Sequence, residues 1–474
     1  MTANSSVRFS PLSDTSSISS NVLLKGESTA RPYRVLHGVT GAAGQAHALA
    51  QGLKAHGITA ENVLIGKSRY GYRADHHVEA THRGLSQFLI NNIDRFDIFH
   101  LHFRPIFYED SKRLQFPSFA DFPILKAAGK RIVFHFRGSE IRSHSEFQKH
   151  SPYNYIKEDA GRTVRKFPDT VKARVLRLVR AGSDAVLAND PEIASYIGVP
   201  CRIINRIVEL PPERCIAAPA RAARPFVVHA PSRRGVKGTD WVIETVDALR
   251  AEGAAFDFQL VEGMSHDEAM DVYARADIVV DQLRIGWYGV LSVEAMGLGK
   301  AVMCYIRDDL VPALGETPPM VLTRRETLKA DLRGLIENPN RRAALGRRGR
   351  HYFETRHSRD AVLPDLISVY DDVWANPRPF DPVPFLNLVA QQHALGISRA
   401  PARSKDGYFP NSALGKAAFL LETQGVGSVV RRLGRKLPRR QGRGSNPNPE
   451  AAPASDVRAA SSDTSGPIPG DQTR

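Results

Sequence analysis

The stretch from Asp281 to Cys304, DQLRIGWYGVLSVEAMGLGKAVMC, decides the fold. Before it stands Ala276-Asp277-Ile278-Val279-Val280-Asp281, a short apolar run between acids that reads as a buried parallel strand. The turn Gly286-Trp287-Tyr288-Gly289 comes next, then an apolar run with one carboxylate, Glu294, and a small-residue stop at Gly297-Leu298-Gly299-Lys300. Strand, glycine turn and helix in that order put a helix N-terminus at 289–292. Unpaired N–H groups and the helix dipole suit an anion there, with Gly289, Val290 and Leu291 as the donors. Glu294 falls about one turn further in, between Val293 and Ala295. A carboxylate on an otherwise apolar helix is placed to accept hydrogen bonds from sugar hydroxyls rather than to sit solvated on a surface.

Outward from this segment, strands and helices alternate. Apolar runs at 34–39, 62–65, 98–103, 131–136, 185–188 and 201–204 are separated by helical stretches. The helix expected over 45–56 sets Ala46, Leu49, Ala50 and Leu53 on one face. A second set of strands runs through 226–230, 257–262, 278–281 and 301–305. The expected fold class is therefore α/β, with two doubly wound Rossmann-like domains facing a cleft, where ligands meet the carboxyl ends of the strands. The boundaries are a disordered segment 1–30, a first domain 31–210, a Pro- and Ala-rich linker 211–225, a second domain 226–358, a closing helix 359–376 and an extended, basic, partly disordered tail 377–474.

Composition agrees with this division. A chain of 474 residues exceeds what one hydrophobic core supports, and 42% hydrophobic content is ordinary for a globular protein. No run approaches the eighteen or so apolar residues of a membrane span, and residues 1–30 lack a signal-peptide core. Cys201, Cys215 and Cys304 are odd in number and without metal-ligand spacing, so they read as reduced thiols of a cytoplasmic protein. The net charge of +15 points to polyanions or an acidic membrane surface.

Three further constellations bear on chemistry. Gly38, Gly41 and Gly44 follow the first strand, but the spacing is not G-x-G-x-x-G and no acid closes a second strand, so a nicotinamide site is not expected. Ser232-Arg233-Arg234-Gly235-Val236-Lys237-Gly238 lies between a buried strand and a helix. Arg233 (or Arg234) and Lys237 there can stabilise charge developing on a leaving diphosphate. His100 and His102 share one strand face by the two-residue period, yet neither a carboxylate nor a third histidine has suitable local spacing, so no metal site is expected.

Together these motifs resemble the donor signature of GT-B glycosyltransferases of the retaining family-4 (group 1) type, roughly E-G-F-G-x-x-x-x-E-A-x-x-x-G-x-P. Glu294, Gly289, Ala295 and Gly299 match, while Gly286 replaces the first Glu and Ala301 the Pro. The resemblance covers roughly 31–374. It implies that Glu294 binds the nucleotide ribose and that Gly44, in Ala43-Gly44 before Leu49-Ala50-x-x-Leu53-x-x-x-Gly57, brings backbone N–H near the donor phosphate. Arg233 and Lys237-Gly238 match the family's phosphate-facing Arg and Lys-Gly with one residue fewer between them. In the first domain, His135 to Arg142 resembles a cleft-lining segment. It implies a catalytic position for His135 or its carbonyl near the anomeric carbon, with Glu140 where Asp is common, and Arg137 and Arg142 holding an acidic acceptor or structuring the loop. Glu262 resembles a strand-end position near the nucleotide, with capping or solvent exposure as the alternative, and Trp287 and Tyr288 either shape the sugar pocket or pack it shut.

The expected partners are a nucleotide-sugar donor and a sugar or lipid-linked hydroxyl acceptor, in polysaccharide or glycolipid synthesis. No cofactor and no divalent ion are implied. A GT-B nucleotide-sugar epimerase and a catalytically silent nucleotide-sugar-binding scaffold are the rival readings, the latter because of Gly286. In the tail, Val426, Val430, Leu433 and Leu437 recur at helical spacing among arginines, and 431–443 contains no acid. Residues 413–443 therefore suit peripheral attachment to an anionic membrane surface; nucleic acid is disfavoured because no aromatics interleave with the basic residues.

Overall fold

The structure, a computed structural model, describes residues 31–66, 71–107, 118–153, 155, 168–198, 200–210, 223–314 and 316–394. Segments 1–30 and 413–443 lie outside the described residues, as does most of the expected linker 211–225.

The first sheet is seven parallel strands in the order β3-β2-β1-β4-β5-β6-β7. They are β1 (Val35–Gly38), β2 (Ala60–Ile65), β3 (His76–Val78), β4 (Ile98–His102), β5 (Arg131–Phe136), β6 (Ala185–Ala188) and β7 (Arg202–Ile203). Helices α1 (Gln45–Ala55), α2 (His82–Asn92), α3 (Asp121–Ala127), α4 (His144–His150), α5 (Asp169–Gly182) and α6 (Pro191–Ile197) connect them. The central strands are apolar runs because both faces are covered; every residue of β1 and β4 is buried.

The second sheet orders its strands β12-β11-β10-β8-β9, again all parallel. They are β8 (Phe226–His229), β9 (Asp257–Leu260), β10 (Ile278–Val280), β11 (Ala301–Cys304) and β12 (Val321–Leu322). Helices α7 (Arg234–Lys237), α8 (Thr239–Ala251), α9 (His266–Arg275), α10 (Val290–Gly297), α11 (Leu328–Ile336) and α12 (Pro339–Arg356) belong with it. The strand order thus reverses at β1/β4 in the first sheet and at β8/β10 in the second. Such switch points open crevices at strand carboxyl ends. Both doubly wound domains accord with the expected fold class. The strands β3 and β12, of three and two residues, are too short to carry a periodic signal.

Helix α10 starts where the glycine turn predicts, with Gly289 as its N-cap in extended backbone. Its far end is pinned by glycines. A Cβ on Gly346 of α12 would lie 2.1 Å from the Gly299 carbonyl oxygen, so α12 crosses the stop after α10 at backbone contact.

Helix α13 (Arg359–Ala375) leaves the second domain and returns to the first. Its Val362, Leu363, Leu366 and Tyr370 pack with Leu49 and Leu53 of α1 and Val35 of β1 in one core cluster. The two chain crossings touch each other, since the Val208 N–H donates to the His357 carbonyl (3.1 Å). Residues 382–394, expected as extended tail, form α14 (Pro382–Ala394) on α3 and α5. Prolines suit a helix's first turn, and Phe385 is buried, stacked on Phe122 at 5.8 Å. Both of these helices after the second sheet thus pack on elements of the first, α13 on α1 and β1 and α14 on α3 and α5.

Gly346→Ala forces α12 off the Gly299 backbone, which cannot yield as a side-chain tip could. We expect a loss of about 2 kcal/mol, read as a melting temperature several degrees lower. An unchanged melting curve would mean that the crossing is looser than the geometry states.

Candidate functional site

A cavity of about 670 Å³ opens between the domains, lined by Gly44, Gln45, Tyr72, His266, Val290 and Glu294 among others. Three of the residues singled out from sequence, Gly44, Val290 and Glu294, thus come together from two domains. Glu294 is almost wholly buried, and its Oε1 meets His266 Nε2 at 2.7 Å. No described residue bonds its Oε2. Gly44 has φ +80°, and a Cβ there or on Gly41 would press on the Tyr72 ring at 3.3–3.4 Å. The glycine turn is thus shaped by an aromatic ring seated on it. That ring in turn lies 5.9 Å from the His266 ring of the other domain.

The N-terminus of α10 already holds a carboxylate. Asp281, fully buried at the end of β10, accepts from the Gly289 N–H (2.8 Å), the Ser292 hydroxyl (2.7 Å) and Lys237 Nζ (3.0 Å). Burial alone would push its carboxyl up. The Lys237 ammonium, the Ser292 hydroxyl and the Gly289 amide overcome that and hold it below the usual carboxylate range. Lys237 also donates to Gln282 Oε1 at 2.6 Å. This corrects the expectation for Gly289, whose amide is taken internally; the Val290 and Leu291 amides bond no described residue. Lys237 does stand at this helix start, since a Cβ on Gly289 would be 3.3 Å from its Nζ. Arg233 and Arg234 are exposed, and Arg234 turns outward to pair with Glu262, which settles that Glu as a surface partner.

Gly286 has a physical explanation. Its φ is +90°, and a Cβ would meet Arg307 Cγ at 2.3 Å. The buried Arg307 fills that space, pairs with Asp309 (2.7 Å) and reaches the Tyr196 hydroxyl of α6 (2.5 Å). Trp287 and Tyr288 pack into the second domain's core, with Tyr288 facing His357 at 3.1 Å, so the turn is packed shut.

His135 is not in the cavity lining. It sits in a buried ring of polar groups with His37, His100, His102, Tyr370 and Arg137. Strand register explains the assembly: His37 pairs with His100 and His102 with His135, all on the face that receives α13. A guanidinium can only donate, so Arg137 fixes the hydrogen positions. It bonds His102 Nδ1 (2.9 Å) and His135 Nδ1 (3.2 Å), which makes both acceptors. His102 Nε2 then donates to His37 Nδ1 (3.2 Å), His37 Nε2 to the Tyr370 hydroxyl (3.1 Å) and that hydroxyl to His100 Nδ1 (2.6 Å). His100 Nε2 finally donates to His135 Nδ1 (3.1 Å). His135 Nε2 lies toward the Ala188 carbonyl without a hydrogen bond of good geometry.

Every imidazole in this ring is neutral. Burial first, and Arg137 with it, lowers His37 to about 3 and holds His100, His102 and His135 well below the ordinary histidine range. Burial also lowers Arg137, to about 9. The expectation that no third histidine joins His100 and His102 is corrected, since His37 brings a ligand atom within 4.8 Å of theirs. The donor chemistry still opposes a cation: the lone pairs of His37, His100 and His102 are each bonded, and a guanidinium lies against His102.

The cleft-facing roles expected for the neighbouring residues are likewise corrected. Glu140 is buried and accepts from the Gly138 N–H (2.7 Å) and the Arg137 N–H, bracing its own turn. Arg142 makes a buried bidentate pair with Glu192 (2.6 and 2.7 Å). Among the described residues Arg137 does not line the cavity but meets one that does, Gln45 (3.5 Å), whose side chain also clamps the Ile207 backbone. Sequence reasoning passed over His37, Tyr370, Gln45, Tyr72, His266, Asp281 and Arg307. Of these only Asp281, an acid at a strand end before a glycine turn, carried a local signal.

No protein-family model matches the sequence, and no curated protein matches it significantly. Solved structures do resemble it. Sucrose-phosphate synthase from Thermosynechococcus elongatus is 13% identical over 73% of this chain and 97% of its own, with a TM-score of 0.49. HepE of Anabaena, solved with UDP and glucose, is 12% identical over 72% of this chain and 100% of its own, with a TM-score of 0.45. WaaG, a glycosyltransferase involved in lipopolysaccharide biosynthesis, is 12% identical over 72% of this chain and 97% of its own, at 0.42. At these identities and TM-scores the likeness is distant.

The ring has a measurable consequence. His37 sits near 3 when folded against 6.5 ordinarily, so the unfolded chain binds the extra proton between those values. The contribution is full above pH 6.5 and is lost as pH falls toward 3, at up to about 1.4 kcal/mol per pH unit for each such imidazole. Urea unfolding across pH 4–8 should show that slope, and His37→Gln should reduce it by about one proton. An unchanged slope in the variant would place His37 among ordinary titrating histidines.

Proposed function

We propose that the protein transfers a sugar from a nucleotide-sugar donor to a hydroxyl acceptor. The observation that carries this reading is the cavity between two doubly wound domains in which Glu294 presents one unbonded carboxylate oxygen. A ribose diol is the natural partner for such an oxygen, because vicinal hydroxyls donate to one carboxylate together. The donor phosphates would follow the Val290 and Leu291 amides, with Lys237 beside them and the Gly44 backbone opposite. Negative charge grows on the leaving nucleoside diphosphate as the glycosidic bond breaks, and these donors stabilise it most at that point. The ammonium is already held by Asp281, so it arrives oriented.

Retention of anomeric configuration, a sugar or lipid-linked acceptor and a place in polysaccharide or glycolipid synthesis are parts of the proposal that rest on the resemblance. Independence from a divalent ion and from any cofactor is a further part. Among the described residues no helix is long and apolar enough to cross a membrane. Peripheral attachment to an anionic surface is assigned to 413–443, on its arginines and apolar stripe. A silent nucleotide-sugar-binding scaffold is the second reading. It is favoured by Arg307 filling the space beside Gly286 and by His135 lying in the core.

Nucleoside diphosphate released only in the presence of an acceptor supports transfer; binding without release, across a broad donor panel, supports the scaffold. Glu294→Gln should weaken nucleoside diphosphate binding about tenfold, since an amide accepts less from a diol than a carboxylate does. Equal affinity in variant and wild type removes Glu294 from the site. Deleting 413–474 should abolish salt-sensitive sedimentation with anionic vesicles while nucleotide binding persists. Equal sedimentation of both proteins ends the attachment idea.

A further inference from the structure

We infer that Tyr153, a residue of the first domain, is a positioning residue for Lys237 of the second, so that the diphosphate-facing ammonium is set in place from across the cleft. The inference rests on the donor-site reading above and deepens it.

Tyr153 follows α4, yet its ring is buried in the second domain, in a core cluster with Trp241, Val242, Leu283 and Tyr305. It meets Trp241 edge-on at 5.0 Å and Tyr305 edge-on at 4.9 Å between ring centroids. Aromatic pairs favour this edge-to-face arrangement. The hydroxyl is anchored as well, since it donates to Glu326 Oε2 (2.6 Å) and accepts from the Arg325 N–H (3.2 Å) before α11. A ring braced by two aromatics and tied at its tip is fixed in one place.

Trp241 carries that constraint to the lysine. It lies in the first turn of α8, and its Cε3 is 3.3 Å from where a Cβ of Gly238 would stand. Gly238 has φ +78°, so the turn between α7 and α8 needs a glycine and leaves room for the indole. Arg284 lies over the indole at 4.1 Å. From there its Nη1 donates to the Gly235 carbonyl (2.6 Å) and its Nη2 pairs with Asp240 (2.6 Å). The Leu283 N–H donates to the Lys237 carbonyl (3.0 Å). Helix α7 has only four residues, too few to hold a shape by its own hydrogen bonds, so these contacts place it. The first domain grips it a second time, because Val236 is buried in that domain's core cluster with Phe147, Tyr155 and Tyr196. Packing from both domains therefore locates the backbone of Lys237, and Asp281 and Gln282 then aim its Nζ.

Removing the Tyr153 ring takes away one wall of Trp241 and frees the indole, Arg284 and the turn 235–238 to shift together. The lysine remains, but its place is no longer fixed. A contact that must be ordered on binding is weaker than one already in position.

The test is calorimetric titration of UDP, ADP and GDP into four full-length proteins: wild type, Tyr153→Ala, Lys237→Ala and the double variant. With whichever diphosphate binds, Lys237→Ala should weaken affinity about tenfold and Tyr153→Ala about fivefold. The double variant should bind like Lys237→Ala alone, because Tyr153 acts through that ammonium. Tyr153→Phe keeps the ring between Trp241 and Tyr305 and should stay within about twofold of wild type. Where a melting curve shows Tyr153→Ala to be unfolded, Tyr153→Leu takes its place in the same cycle. Wild-type affinity in the folded Tyr153 variant overturns the inference. So does a double variant weakened by the product of the two single losses, about fiftyfold, since that is what a structural role independent of Lys237 produces. Wild-type affinity in Lys237→Ala instead overturns the donor-site reading, and no binding by any of the three diphosphates overturns both.

Discussion

The buried carboxylate of Asp281 joins the parts of the second domain that matter most. It ends β10, holds the first amide of α10 through Gly289, holds the first turn through Ser292 and fixes Lys237 from the segment after β8. Three loops at one switch point are therefore registered by a single group. Removing it would leave an ammonium without its anion and a helix start without its acceptor, and breaking a buried pair from one side is costlier than never having made it. The orientation of α10, and with it the direction in which Glu294 points, follows from this knot.

What could be read from the chain beforehand was what depends on local pattern. The alternation of apolar runs and helices, the start of α10 at Gly289 and the isolation of Glu294 on an apolar helix all follow from residues close in sequence. The polar ring was not legible, because His37, His100 and His135 are adjacent only through the strand order β1-β4-β5 and its register. Tyr370 comes from a helix more than 230 residues after His135, and nothing in its neighbourhood marks it. Helix α14 was masked by the prolines of its first turn, which read as extended chain although they suit a helix start. Gly286 stood out as a departure, but its cause, the side chain of Arg307 lying in the same space, is a tertiary fact.

The same comparison shows why charge is a poor guide to role. Arg142, Glu140, Arg137 and Arg234 all looked available as ligand contacts, and all are occupied by partners within the protein. A long chain with many arginines needs internal carboxylates, carbonyls and imidazoles to hold them, and the turn after β5 is where this chain does so. The cavity instead draws on fewer and quieter groups: a glycine turn under a tyrosine, a glutamine clamp and one carboxylate held by a histidine.

The meeting of the two interdomain crossings, where the Val208 amide bonds the His357 carbonyl and His357 Nδ1 lies 2.8 Å from the Arg206 carbonyl, limits how the domains can move. Because the chain passes between the halves twice at nearly one place, that place acts as a pivot. The first crossing is itself part of the cavity wall, since Ile207, Val208, Glu209 and Leu210 line it together with Tyr72 and His266, so a change in the cleft's width would be felt at the crossing as well as across the cavity.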